Sequence, residues 1–251
     1  MIFYFSATGN SKKLAEIIAN KTSDKAIDIE EAAKNKAFDY QLENGERLGF
    51  AFPVFWGNVP WVFEDFVKQL TVKSGDNYYG YIAVTDGGMS EAAPLYLQRI
   101  LVKRGITINA VFGLKTVDTC ALFANKWDPQ SWGSLPSEVE LKSSMIAQMV
   151  LDRTLGEYAQ PSIFPRVTTF LMRPAYKLFQ STRSFSVTDK CTHCGLCANK
   201  CPVGAIEIQD GLPKWVKPRC MTCMRCLHHC PADAIEFGNY TQGKPRYHKP
   251  I

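Results

Sequence analysis

Eight of the nine cysteines lie between Cys191 and Cys230, in two runs that share the spacing C-x2-C-x2-C-x3-C-P. The runs, at residues 191–202 and 220–231, repeat at an offset of 29 residues, which indicates duplication of one half-domain. Three cysteines at this interval can wrap a compact loop around one iron–sulfur cubane, while a fourth that precedes proline turns away and ligates the other cluster. The spacing predicts two 4Fe–4S clusters.

The crossed arrangement divides the cysteines into two sets of four predicted ligands. The first set is Cys191, Cys194, Cys197 and Cys230, and the second is Cys220, Cys223, Cys226 and Cys201. Zinc is the alternative, since it also favours C-x2-C pairs, but zinc leaves the third cysteine and the Cys-Pro step unexplained. We interpret His193, His228 and His229, which lie among the ligands, as exposed loop residues, because cysteines fill all eight positions.

Clustered cysteines indicate metal ligation in a reducing compartment rather than disulfides. The ninth, Cys120, has the apolar neighbours Ala121, Leu122 and Phe123, so we expect a buried thiol. The start of the chain lacks the basic region and cleavage site of a secretory signal, and no uncharged apolar run approaches the length of a membrane helix. We therefore expect a cytoplasmic protein without a membrane span.

Residues 1–5 form an apolar run, as expected of a buried parallel strand, and a polar loop and a helical pattern follow. A strand, loop and helix in this order can bind phosphate through backbone N–H groups, the helix dipole and hydroxyls. The pattern is neither a P-loop nor a dinucleotide fingerprint, and a polar helix cap without a ligand is the alternative. The predicted phosphate-binding residues are Ser6, Thr8, Gly9, Asn10 and Ser11.

Two further loops follow predicted strands at residues 48–52 and 81–85, and a fifth strand around residues 106–114 would complete a five-stranded parallel sheet. Open α/β sheets bind ligands at the carboxyl ends of their strands, so the three loops should meet at one edge. Core packing is the alternative for the aromatic residues of the first loop, and a plain turn for the glycines of the second. The predicted ligand-binding residues in them are Pro53, Phe55, Trp56, Gly57 and Asn58, then Thr85, Asp86, Gly87 and Gly88.

The first loop resembles the phosphate loop of flavodoxins, and the cysteine runs resemble bacterial-type ferredoxins with two 4Fe–4S clusters. Apart from its connector, the whole chain resembles the flavodoxin–ferredoxin fusion proteins called EFR-type ferredoxins, which are common in anaerobes. This resemblance implies FMN in the first domain, a strand order of 2-1-3-4-5, and Phe55 or Trp56 against the isoalloxazine. Flavodoxins often place a tyrosine in the loop at residues 85–88, and this sequence has none.

We divide the chain into a flavodoxin-like α/β domain (1–160), a basic and aromatic connector (161–184) and a small α+β ferredoxin-like domain (185–251). The net charge of +5 is uneven, since residues 1–160 hold 16 Lys+Arg against 19 Asp+Glu and the positive excess lies beyond them. Without a nucleic-acid-reading motif this excess is only a weak signal of nucleic-acid binding, and an acidic redox partner or acidic substrate is equally compatible with it. We interpret the connector as a strap between the domains, the alternatives being a membrane-surface segment or a docking face.

Three functions fit these features. The first is an electron-transfer protein that links one-electron clusters to FMN, which handles one or two electrons. The second is a ferredoxin-dependent FMN reductase acting on a small organic acceptor. The third is a nonenzymatic redox sensor or interaction module. The direction of electron flow and the oligomeric state stay open at this level.

Overall fold

The computed structural model describes residues 1–75, 77–88, 90, 92–159, 176–177 and 180–248, with the side chains of residues 130–136 excepted. We call residues 1–159 the sheet domain and residues 180–248 the cysteine domain. The prediction of a strap at residues 161–184 falls mainly outside the described residues.

The sheet domain is built on parallel strands. They are β1 (Ile2–Tyr4), β2 (Ala26–Asp28), β3 (Asp39–Gln41), β4 (Arg47–Pro53), β5 (Thr71–Lys73), β6 (Tyr79–Asp86), β7 (Ala110–Lys115) and β8 (Gly156–Tyr158). Six of them form one sheet in the order β2-β1-β4-β6-β7-β8, and β3 pairs with β5 separately. The five predicted strands have the predicted order, so the fold class is confirmed.

The sheet carries one more strand than the five we predicted. Strand β8 pairs in parallel with β7 at the sheet edge, through Ala110 and Gly156. Its three residues are exposed, and they therefore carry none of the apolar alternation that marks a half-buried strand. The helix that precedes this strand ends at Leu151.

Helices cover both faces of the sheet. They are α1 (Asn10–Thr22), α2 (Ile29–Lys34), α3 (Trp61–Gln69), α4 (Ala93–Lys103) and α5 (Pro129–Leu151), and a 3-10 helix spans Ala121–Lys126. Neighbouring strand residues point to opposite faces, so Phe50 and Ile82 pack in the core with α3 and α4, whereas Ala51 and Ala83 pack with α1 and α5. Among the described residues, no helix has the length and apolar content needed to cross a bilayer.

The cysteine domain consists of two similar halves. Its elements are β9 (Phe185–Val187), α6 (Leu196–Asn199), β10 (Ile206–Gln209), β11 (Leu212–Trp215), α7 (Arg225–His228) and β12 (Ile235–Phe237). Strands β9 and β12 pair antiparallel, as do β10 and β11. Each short helix begins at the same place in its cysteine run, 29 residues apart, as duplication predicts.

The two domains share apolar cores. Met221 and Cys223 of the cysteine domain belong to the core under α3 and α4. In return, Ala121 and Trp127 of the sheet domain pack with Leu227 and its neighbours in the core of the cysteine domain. Because buried side chains are close-packed, this sharing fixes how the domains sit against each other.

Close packing predicts the effect of one methyl group in strand β6. A Cβ added at Gly80 would lie 2.0 Å from the backbone oxygen of Thr107, which has no freedom to rotate away. Gly80→Ala should cost about 2–3 kcal/mol of stability and lower the Tm by roughly 5–10 °C.

Gly75→Ala is the matched control, because its closest contact is the side-chain oxygen of Asn44 at 2.5 Å, which can rotate. Its cost should stay within about 0.5 kcal/mol. Thermal unfolding under anaerobic conditions measures both variants, and equal Tm values would contradict the packing described for Gly80.

Candidate cofactor sites

The predicted ligand loops meet at the carboxyl edge of the sheet around a cavity of about 460 Å³. This is the size range of pockets that hold small ligands and cofactors. Twelve of the fourteen residues predicted from the three loops line it, namely Ser6, Thr8, Asn10, Ser11, Pro53, Phe55, Trp56, Gly57, Thr85, Asp86, Gly87 and Gly88.

The other two predicted residues, Gly9 and Asn58, lie outside the lining and shape the loops instead. Gly9 precedes α1 with a φ of 106°, which favours glycine, and its N–H donates to Ser6 Oγ at 3.1 Å. The Asn58 side-chain amide donates to the Trp56 carbonyl at 2.6 Å and closes the turn before α3.

The phosphate-binding interpretation of the first loop can be tested on its donors. Ala7 and Thr8 are buried, and within the described chain their backbone N–H groups donate to no protein acceptor. Buried N–H groups are rarely left unpaired, so this pair fits a bound anion. Ser11 and Thr85 add hydroxyls that share a buried hydrogen bond of 2.7 Å and join the start of α1 to the end of β6. These neutral donors fit the terminal phosphate of FMN.

The second loop presents its aromatic residues differently. Phe55 packs its ring edge-on against buried Phe5, with centroids 6.4 Å apart, so it belongs partly to the core. Trp56 has a φ of 53° in the left-handed region, where a bulky side chain is strained. Both residues line the cavity. The backbone geometry favours Trp56 as the residue placed for the ligand.

Asp86 organises the third loop. Its carboxylate accepts from the Gly88 N–H at 2.8 Å and from the Ser90 hydroxyl at 2.5 Å. Burial raises the Asp86 pKa, while these two hydrogen bonds and Lys115 act in the opposite direction. Gly88 has a φ of 146°, and a side chain there would be strained. The Asp86 carboxylate therefore fixes the backbone at Gly88, which lines the cavity without a side chain.

Sequence reasoning missed two segments that line the same cavity. One is the loop after β7, at residues 116–120, with Phe123 of the 3-10 helix; the other is Thr222–Met224 of the second cysteine run. The loop at residues 116–120 could have been found, because it follows the carboxyl end of the fifth predicted strand, where open α/β sheets bind ligands. Nothing local in the second indicated that it would face the sheet domain.

The two predicted ligand sets line two separate cavities. Cys191, Cys194, Cys197 and Cys230 line one of them. Cys201, Cys220, Cys223 and Cys226 line the other. Within the described residues, no three Cys, His, Asp or Glu side chains converge as they would around a single metal ion. Four thiols around an open space fit the larger iron–sulfur cubane better than zinc, whose four ligands converge on one atom.

For Cys197 and for Cys223, the thiols that raise the pKa belong to the same predicted ligand set. Burial raises the pKa of Cys197, and charge on Cys230 and Cys194 raises it further. Burial raises the pKa of Cys223 to about 12, with Cys220 and Cys201 acting in the same direction. Bound iron would supply the positive charge that such buried thiolates need.

The duplicated runs share a backbone although their residues differ. Left-handed φ values occur at Gly195 and at Met224, 29 residues apart, just before each helix. The N–H groups of Ala205 and Ala234 donate to the sulfurs of Cys201 and Cys230, at 3.2 and 3.3 Å. N–H···S bonds of this kind stabilise thiolates and tune cluster potentials.

The cavity lined by the second cysteine set adjoins the cavity of about 460 Å³ at the edge of the sheet. Cys223 and Met224 line both. Charge on Cys197 of the first set acts in turn on Cys226 of the second. The order in space is therefore first cysteine set, second cysteine set, sheet-domain cavity.

The interpretation of the histidines as exposed loop residues is wrong for His229, which is half-buried with its Nδ1 shielded from solvent, and for His228. The His228 side chain is fully buried, and burial lowers its pKa to about 4, so the ring is neutral. Nδ1 accepts from the Tyr247 N–H at 3.1 Å, which leaves Nε2 to donate to the Thr119 carbonyl at 3.0 Å. His193 is exposed as predicted, with Nδ1 2.7 Å from the Gly211 carbonyl.

Comparison with known proteins agrees with this geometry. A flavodoxin domain model matches residues 1–88, and a 4Fe-4S dicluster domain model matches residues 182–235. These matches support a redox protein with a flavin-binding domain and an iron–sulfur domain. The chain has a flavodoxin domain followed by a 4Fe-4S dicluster domain, which is the domain order of a flavodoxin–ferredoxin fusion. The comparison with curated proteins found no match.

Solved structures resemble the sheet domain at low identity. The Trp repressor binding protein from Bacillus subtilis gives a TM-score of 0.37 at 14% identity, over 61% of this chain and 97% of that one. The FMN-dependent NADH-azoreductase from Bacillus anthracis gives 0.37 at 12%, over 62% and 98%. Rubredoxin oxygen:oxidoreductase from Desulfovibrio gigas gives 0.36 at 16%, over 61% of this chain and 36% of that one.

Cys120 lies in the cavity wall rather than in the core. Its thiol is partly exposed, which corrects our expectation of a fully buried side chain, and burial still raises its pKa to about 11. The thiolate is the reactive form, so alkylation by iodoacetamide should accelerate about tenfold per pH unit from pH 8 to pH 10.

The measurement is mass spectrometry of anaerobically alkylated protein, with Cys120→Ser reporting any reaction of the other eight cysteines. A rate that levels off near pH 9 would show that Cys120 has the pKa of an ordinary exposed thiol.

Proposed function

We propose that this protein transfers electrons between two 4Fe–4S clusters and FMN, and so converts between one-electron and two-electron chemistry. One observation carries the proposal: Cys223 lines both the cavity of the second cysteine set and the cavity of the sheet domain. A cluster held by this set would be the immediate neighbour of a flavin held by the three loops.

The proposed residues have distinct roles. The donors of the first loop would hold the phosphate, Trp56 would lie against the ring system, and the backbone at Gly87 and Gly88 would approach the ring edge. FMN, when bound, supplies a centre that accepts or donates one or two electrons. The eight cysteines of the two sets would ligate eight irons in total.

The first cysteine set lies farther from the sheet-domain cavity than the second, and we call the two the outer and the inner set. The outer set is the proposed point of electron exchange with a partner. Cys194 is exposed, whereas its duplicate Cys223 is buried against the flavin cavity. Leu196, beside Cys194, is also exposed. We therefore propose that a one-electron redox protein docks over the first set. The positive excess beyond residue 160 supports an acidic partner, and thiolate ligands support a reducing compartment such as the cytoplasm.

A second candidate function, an FMN-dependent reductase, is favoured by the loop after β7. Val117, Cys120 and Phe123 extend the cavity wall beyond the three flavin loops. A small organic acceptor bound against this wall would be reduced within the cavity rather than by a docked protein. Steady-state assays with candidate acceptors separate the two functions, because a carrier shows no saturation with a small molecule.

Rapid anaerobic mixing tests the central proposal. Purified protein should contain about eight irons and one FMN per chain, and a one-electron donor should bleach the cluster absorbance before the flavin absorbance. Zinc in place of iron would contradict the cofactor assignment. A bleached cluster that never communicates with the flavin would contradict the function.

Single cysteine substitutions test the ligand sets. Cys197→Ser should deplete the outer cluster and Cys201→Ser the inner one, each with loss of about half of the iron. Only Cys201→Ser should remove the immediate neighbour of the flavin, so it should slow flavin reduction even with dithionite. Iron analysis and electron paramagnetic resonance identify the missing cluster.

Cys120→Ser is the control, and it should retain all the iron. If Cys197→Ser and Cys201→Ser deplete the same cluster, the crossed assignment is wrong.

A further inference from the structure

Three side chains of the cysteine domain bind the loops of the flavin cavity without lining the cavity themselves. Arg225 binds the first loop through the carbonyls of Ser6 and Ala7, and Tyr247 binds Asn10 at the start of α1. His228 binds the carbonyl of Thr119 in the loop after β7. Each contact joins residues that are more than 100 positions apart in the chain.

Arg225 fixes the direction of the peptide groups in the phosphate loop. Its Nη2 donates to the Ser6 carbonyl at 2.6 Å, and its Nε donates to the Ala7 carbonyl at 3.2 Å. In a trans peptide the C=O and the next N–H point in opposite directions. The N–H groups of Ala7 and Thr8 therefore point away from the arginine. These are the two buried donors that have no protein acceptor.

The guanidinium is itself held firmly. Its two Nη atoms donate to the carboxylate of Glu30, and Nη1 also donates to the Lys200 carbonyl at 3.0 Å. The guanidinium lies 5.4 Å from the centre of the Phe5 ring. Because its donors are all engaged, the guanidinium has a single orientation. Its hydrogen bonds to the loop carbonyls therefore fix the orientation of the loop.

Tyr247 acts on the next residue of the site. Its hydroxyl donates to Asn10 Oδ1 at 2.8 Å in a buried hydrogen bond. Asn10 lines the cavity, and with its oxygen engaged its amide N–H2 is the end available to an anion. The tyrosine is held in turn by His228, which accepts the Tyr247 N–H.

We propose that Arg225 and Tyr247 are positioning residues of the flavin site, through which the cysteine domain holds the phosphate loop in its anion-binding form. The inference rests on the proposed FMN site and adds a specific consequence. The affinity for the phosphate of the flavin depends on Arg225 and Tyr247, whereas the affinity for the ring system does not.

Riboflavin, which lacks the phosphate, separates this role from a general structural one. Flavin-free protein with intact clusters is titrated with FMN and with riboflavin, and quenching of flavin fluorescence gives each Kd. Tyr247→Phe keeps the ring and loses the hydroxyl, so it should raise the Kd for FMN about 3- to 10-fold and leave the Kd for riboflavin unchanged. Arg225→Lys should raise the FMN Kd by more, about 10-fold or above, because the compact lysine ammonium lacks the planar fork with which the guanidinium reaches the loop carbonyls and Glu30 at once.

Tyr240→Phe is the matched control, since Tyr240 lies in the same domain and is 55% exposed. It should change neither Kd. An unchanged FMN Kd in Tyr247→Phe, or a parallel loss of FMN and riboflavin binding, would overturn the positioning role while leaving the proposed function intact. If the unaltered protein bound neither flavin, the proposed function would fail first, and this inference with it.

Discussion

The half-buried ion pair between Arg225 and Glu30 is the constraint on which the arrangement of the two domains depends. Arg225 is only 11% exposed, and moving a guanidinium out of water costs several kcal/mol unless its donors are satisfied. Burial opposes the charge, but Glu30 outweighs it, and the pKa of Arg225 is raised. The guanidinium keeps these partners only when the second cysteine run lies against the phosphate loop. Domain orientation and loop geometry are thus set by the same group.

Shared cores make this arrangement rigid. Domains within one chain usually move relative to each other unless their interface is large and hydrophobic. Here Met221 is fully buried in the core of the sheet domain, and Trp127 packs in the core of the cysteine domain. Such an interface would hold cofactors in the two domains at a fixed separation without a conformational step.

The sequence predicted those parts of the site that local spacing determines. A cysteine run ligates a cluster within a few residues, and a strand followed by a polar loop indicates a ligand edge, so the three loops could be found without a structure. Strand β8 could not be, because an exposed edge strand has no apolar pattern. The roles of Arg225, His228 and Tyr247 depend on contacts across more than 100 residues, and no local signal distinguishes them from ordinary polar residues.

The duplication explains how one half-domain came to serve two purposes. Arg225 and exposed Leu196 occupy the same position in the two runs, 29 residues apart, and each follows a residue with a left-handed φ. Since the backbone is the same, the difference lies in what each half faces. Arginine at this position binds the sheet domain, whereas leucine leaves an apolar side chain beside exposed Cys194, where a partner can reach it. In the proposed function, the half that contains Arg225 holds the flavin site, and the half that contains Leu196 is left open for electron exchange.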